Sequence, residues 1–153
     1  MVVSVGDDRV MQAAVLAFKA ADRALRKDIN DATRTTFNQP WKTGIEQRVR
    51  TPLERRVLVP GARIAAGNPP SFVAASSTRA LPGGLVPAVQ WPAVEFGADR
   101  SRMKGRRHTT RQLPARRRRG PVFETLADMT DRVPRLWAQL IVKAYCDAAD
   151  ESR

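Results

Sequence analysis

The sequence predicts an α+β fold: a long N-terminal helix and a C-terminal helix packed on a small, mostly antiparallel sheet, with an extended basic arm. Three observations carry that prediction. Apolar residues recur at spacings of three and four near both ends of the chain. Ten of the eleven prolines lie between positions 40 and 121, where short alternating stretches suit strands and turns. No internal repeat is evident, and strands grouped between helices favour α+β over a doubly wound parallel sheet.

Taken in order, Asp7 and Asp8 are placed to cap a helix N-terminus. Met11, Ala14, Val15, Phe18, Ala21, Leu25, Ile29 and Ala32 then form one apolar face, predicting a single long helix that ends before Pro40. The opposite face mixes Arg9, Lys19, Arg23 and Arg26 with Asp22, Asp28 and Asp31, which reads as a solvated, salt-laced surface. Pro40 is expected to break the helix, because proline disfavours helical geometry in the preceding residue. Trp41, Ile45 and Val49 then predict a short second helix, with Trp41 as an apolar anchor. Thr51-Pro52-Leu53-Glu54 has the form of a capping box with proline at the first helical position.

Ala62–Ala66 and Phe72–Ser76 predict two short strands, joined through Asn68-Pro69-Pro70. Arg79–Pro87 predicts a loop. Its Gly83-Gly84 lacks the spacing and the Lys-Ser/Thr of a phosphate-cradling loop. Val89–Gly97 predicts a further strand, interrupted by Pro92 and so placed at an edge or bulge. Phe123 to Ala148 traces the C-terminal amphipathic helix, which Pro134 is expected to kink or split. The acidic tail, Asp147, Asp150 and Glu151, is expected to fray.

Length and composition set the frame. A chain of 153 residues fits one domain, 1–153, with the basic arm at 98–120. A lone cysteine, Cys146, argues against a disulfide-stapled secreted domain. The N-terminus lacks the basic and apolar regions of a signal peptide, and no apolar run is long enough to span a membrane. A soluble protein made in a cytoplasm is therefore expected.

Charge is distributed unevenly. The chain has 27 basic and 15 acidic residues, a net charge of +12. The stretch 100–119 holds ten of those cations and no acid: Arg100, Arg102, Lys104, Arg106, Arg107, Arg111, Arg116, Arg117, Arg118 and Arg119. Outside it the balance is 17 basic against 15 acidic. Such a segment suits the phosphates of DNA or RNA, without sequence preference and with steep salt dependence. An acidic protein neighbour or solvent alone suits it too. Stacking aromatics are missing from 97–120, which weighs against single-strand recognition. Residues 107–113 carry Thr109 and Thr110 and suit a short strand, one arm of a long hairpin; a loop is the competing reading.

Catalytic chemistry is not visible. His108, the sole histidine, has no Cys, Asp or Glu close in sequence, so neither a metal site nor a cofactor is expected. A Cys146–His108 dyad is formally possible, but Cys146 falls on or beside an apolar helical face, where a buried structural cysteine is commoner. Glu46, Glu54, Glu95 and Glu124 have no spacing that marks a general acid and base.

Several blocks together resemble one family. They are ALRKDINDATR, TPLERRVLVPGARIAAG, FVAASSTRALPGGLVP, WPAVEFGA and RVPRLWAQLIVKAY. In that order they look like the tail-component, or tail-completion, proteins of long-tailed phages, especially those of actinobacterial hosts. The resemblance covers roughly 9–148 and departs from shorter members in the basic insert, Ala98 to Gly120, where many have only a brief loop. It implies an α+β, non-enzymatic virion protein of the head–tail neck, without a cofactor. Its implied partners are copies of itself in a ring, expected to be a hexamer, neighbouring neck and tail proteins, and genomic DNA passing the channel without sequence specificity; no membrane is implied. On this view, deleting 100–119 leaves the fold intact but impairs tail joining. The alternative is a free nucleic-acid-binding protein that uses the same arm.

Overall fold

A computed structural model describes residues 1–4, 9–98, 113–115 and 117–151. The described residues are mostly helical, with a small antiparallel sheet and long helices toward both ends, the α+β architecture that the sequence predicts.

The expected single N-terminal helix is two helices, α1 (Arg9–Ala20) and α2 (Arg23–Arg48). Asp22 causes the break. It sits in extended backbone and its side chain accepts the Leu25 N–H at 2.7 Å, so it caps α2 instead of continuing α1. The Asp7–Asp8 cap lies outside the described residues.

Pro40 does not end α2, and the short helix expected from Trp41 is the second half of the same 26-residue element. An internal proline costs about 3 kcal/mol. Against that, Trp41 and Ile45 are fully buried beyond it, each worth about 2–3 kcal/mol. The Trp41 indole N–H also donates to the Val73 carbonyl at 2.9 Å, fixing α2 to the sheet.

Helix α3 (Pro52–Leu58) starts with the predicted capping box: the Thr51 side chain accepts from the Glu54 N–H, and the Glu54 side chain accepts from the Thr51 N–H. The sheet has the order β1-β3-β2, from β1 (Val2–Ser4), β2 (Arg63–Ala65) and β3 (Ser71–Val73), antiparallel throughout. The register pairs Phe72 with both Val3 and Ile64. Strands β2 and β3 are the predicted hairpin; β1 was not expected. The β2 edge is anchored to α2, where the Asn38 side-chain oxygen accepts the Ile64 N–H at 2.6 Å. Phe72 meets Trp41 edge-on, with ring centroids 5.0 Å apart.

Beyond the expected loop, in which Gly83 and Gly84 hold φ of 98° and 82°, the predicted edge strand is a helix, α4 (Pro87–Glu95). Pro87 occupies the first turn, where a missing N–H costs nothing. Pro87, Val94 and Glu95 are buried and Trp91 is half-buried, so the face that matters repeats at helical spacing, not at two.

The C-terminal helix is split into α5 (Pro121–Thr130) and α6 (Arg132–Glu151) at Asp131. Pro134 is the third residue of α6, within the turn whose N–H groups have no helical partner. The acidic tail expected to fray is helical through Glu151. Trp137 joins three helices: it stacks on Phe18 of α1 at 4.8 Å and donates to the Thr33 hydroxyl of α2 at 2.9 Å. That hydroxyl in turn donates to the Ile29 carbonyl at 2.6 Å.

Candidate functional site: the base of the basic segment

Of the ten candidate cations, Arg100, Arg102, Lys104, Arg106, Arg107, Arg111 and Arg116 lie outside the described residues, as do His108 and most of the 107–113 strand reading. The structure describes the base from which that stretch departs and to which it returns. The element before it is α4, not the expected strand.

At the departing side, the Ala98 N–H donates to the Pro114 carbonyl at 3.1 Å, and Ala98 forms a parallel bridge with Ala115. The two ends of 99–112 are therefore held side by side. Three residues later the Arg117 N–H donates to the Phe96 carbonyl at 2.7 Å. Ala98 and Leu113 are both buried.

Arg117 does not join a free cationic surface. Its Nε donates to the Glu95 carbonyl at 2.8 Å and its Nη2 to the Val94 carbonyl at 3.0 Å. The same Nη2 lies 2.9 Å from Glu54 Oε1, whose side chain is 1% exposed against 23% for Arg117. The other Glu54 oxygen accepts from the N–H groups of Arg50 and Thr51 at 2.6 and 3.3 Å. A carboxylate this deeply buried requires such partners, since an unpaired buried charge is costly. Arg117 thus fastens the end of the basic stretch to α3 and α4 at once. Arg118 and Arg119 follow it and are exposed.

Glu95 completes the base. It is fully buried, and Oε1 accepts from the N–H groups of Gly120 and Phe123 at 3.1 and 2.9 Å, while Oε2 accepts from Val122 at 3.2 Å. The residue at the α5 N-cap, Gly120, has no side chain to cap with, and Glu95 from α4 does so from across the fold. Gly120 is required by this close approach: a Cβ there would collide with the Glu95 carbonyl oxygen. Burial pushes the Glu95 carboxyl above its ordinary value; the N–H groups of α5 and the Arg117 charge oppose that shift. Trp91, Phe96 and Phe123 pack α4 against α5 beside this node, with successive ring centroids 6.0 and 5.3 Å apart.

Glu54 and Glu95 therefore meet at Arg117, but each carboxylate is occupied by backbone N–H groups, as structural anchors are. Cys146, expected to be buried, is exposed, because it falls on the solvent side of α6. No group of three His, Cys, Asp or Glu able to hold a metal ion occurs among the described residues. No described helix is long and apolar enough to cross a membrane. Sequence reasoning missed the roles of Glu95 and Gly120. The one available signal was an acidic residue set in a largely apolar run, VQWPAVEFG.

Comparison with models of protein families, with curated proteins and with solved structures finds no match to this chain.

Proposed function

We propose that this protein is a non-enzymatic virion subunit of a phage head–tail neck, a copy in a ring around the DNA channel, with 99–112 presented to DNA or to an acidic neighbour. The observation that carries the reading is a concentration of cations between two flanks that are fixed to the fold. Ten of the 27 cations lie in 100–119, six of them within 99–112, and the flanks of 99–112 are fixed by Ala98, Pro114 and Arg117. A polyanion is the partner that such a concentration suits. The neck setting comes from the block resemblance described above.

The test is a phage carrying 99–112 replaced by a short neutral linker, with Arg117 retained. The expected result is a folded subunit with impaired tail joining or unstable particles. Intact, fully infectious particles would reject the role. Deleting 100–119, as the sequence alone suggested, is the wrong experiment, since it removes Arg117 from beside Glu54. The alternative, a free nucleic-acid-binding protein, is favoured instead if the isolated protein binds DNA or RNA tightly with a steep salt slope.

A further inference from the structure

We propose that the groove between α2 and the α5–α6 pair binds an acidic, extended segment of a different protein, with carboxylates at Arg132 and Arg135 and an apolar side chain between them and α2. Two recesses of about 320 Å³ each form the groove; they share Pro40 and Arg132 and so run into one another. One wall is a single stripe of α2, Thr36, Pro40, Gly44 and Arg48, at spacings of four. The other runs from Thr125 and Met129 of α5 to Arg132, Leu136 and Gln139 of α6, at spacings of four and three across the break at Asp131. The α2 stripe is about 18 Å long at 1.5 Å per residue. About five residues of extended chain, at about 3.3 Å each, span that length.

The lining selects the occupant. At one end Arg48 and Asp128 are paired with each other, so neither is spare. Arg132 and Arg135 stand one turn apart on the opposite wall, are exposed, and have no ion pair among the described residues. The spare charge of the groove is therefore positive, and an acidic partner complements it. Between those arginines and α2, Phe37 and Leu136 give an apolar floor. Pro40 has no N–H, so the Thr36 carbonyl lacks its helical partner one turn on, and both residues line the groove. An acidic peptide with an apolar residue supplies all three complements: carboxylates, an apolar side chain and a backbone N–H.

A single nucleic-acid strand has phosphates for the arginines, but its bases stack on open aromatic faces, and Phe37, the one ring in the lining, is 4% exposed. The stretch 99–112, with six cations and one acid, has the wrong sign for this groove, in its own chain or in another copy. The groove is thus a second binding surface, and it does not rest on the function proposed above.

The probe is a fluorescein-labelled hexapeptide, Asp-Glu-Leu-Leu-Asp-Glu, with the amide peptide Asn-Gln-Leu-Leu-Asn-Gln as control, titrated by anisotropy against the full chain at physiological ionic strength. The acidic probe is expected to bind at least about tenfold more tightly than the control. Because 99–112 also attracts acids, a second copy of the probe with benzophenone in place of one leucine maps the contact. Its photocrosslinks are expected within 36–48 and 125–139. The pair Arg132→Glu and Arg135→Glu changes two exposed side chains, so it should keep the wild-type circular dichroism and melting curve while weakening the acidic probe about tenfold or more. Pro40→Ala returns an N–H to the Thr36 carbonyl. It should fold at least as stably as wild type and yet bind the probe about threefold more weakly. Crosslinks confined to 99–119, an amide peptide that binds equally well, or an Arg132/Arg135 pair that binds like wild type would each overturn the proposal. So would a fluorescent single-stranded oligonucleotide that loses affinity in that pair while the acidic peptide does not, which would give the groove to nucleic acid instead.

Discussion

Glu54 is a nearly inaccessible carboxylate, and its Oε1 is bound by Arg117. Arg117→Met removes the partner and leaves a buried charge. Breaking such a pair costs about 3–5 kcal/mol when both groups are buried; the partial exposure of Arg117 lowers the expected loss to about 2–3 kcal/mol. Urea unfolding of the variant against wild type measures it, and a loss below about 0.5 kcal/mol would place Arg117 with ordinary surface residues. Gly120→Ala is expected to cost about 2 kcal/mol or more in the same assay, because backbone at Glu95 occupies the space a methyl needs. Glu95 gives a pH dependence with a definite sign. Its folded-state value is raised above the ordinary 4.5, so its favourable contribution is fully present below 4.5 and is lost as pH rises through the folded value. The stability of wild type relative to Glu95→Gln should therefore improve as pH falls from about 8 to about 4.5. A gap that moves the other way would mean that the α5 N–H groups outweigh burial. At this scale the Thr51–Glu54 box was legible, since both partners lie within four residues. Glu95 and Gly120 were not, because they come together across 25 residues of chain that no local pattern connects.

The stretch 99–112 is bounded by contacts that it does not itself supply: Ala98 to Pro114, Arg117 to Phe96, and the Arg117 guanidinium to α3 and α4. Replacing it with a short Gly/Ser linker should thus leave the melting temperature within about 4 °C of wild type, corresponding to under about 1 kcal/mol. Thermal melts by circular dichroism decide the point, and a collapse of the transition would show that the stretch helps to hold the fold. The same local reasoning explains which elements were readable. The β2–β3 hairpin and α3 carry turn and cap residues that act over a few positions. The segment Pro87–Glu95 does not: its apolar residues fit alternation and helical spacing alike over so short a window, and the partners that choose between them, α3 and α5, lie elsewhere in the chain. Pro40 misled for a related reason. Its local cost is visible in sequence, whereas the burial of Trp41 and Ile45 that offsets it is a tertiary fact. Asp22 is the opposite case: read as one more acid on the solvated face of a continuous helix, it caps a new one.

At the scale of the whole molecule, six cations lie between flanks that Ala98, Pro114 and Arg117 fix, so binding by that stretch can be tested apart from stability. Between them, 99–112 hold six cations and one acid, Asp99. If those cations neutralise phosphates on duplex DNA, each contributes about −0.9 to the slope of log K against log salt concentration. Full engagement then gives a slope of about −5, and affinity falls by roughly three decades between 50 and 200 mM salt. The linker replacement should flatten the slope by most of that amount. Arg118→Ala with Arg119→Ala should flatten it by no more than about 2, because these two exposed residues stand just past the anchored Arg117. Arg117→Met is the control that distinguishes a surface cation from an anchor: it should lower stability while leaving the slope nearly unchanged under conditions where the variant stays folded. Titration of a fluorescent random-sequence duplex at several salt concentrations reads all four proteins. A wild-type slope near zero would remove DNA phosphate as the partner of 99–112 and leave an acidic protein surface as the polyanion that this charge meets.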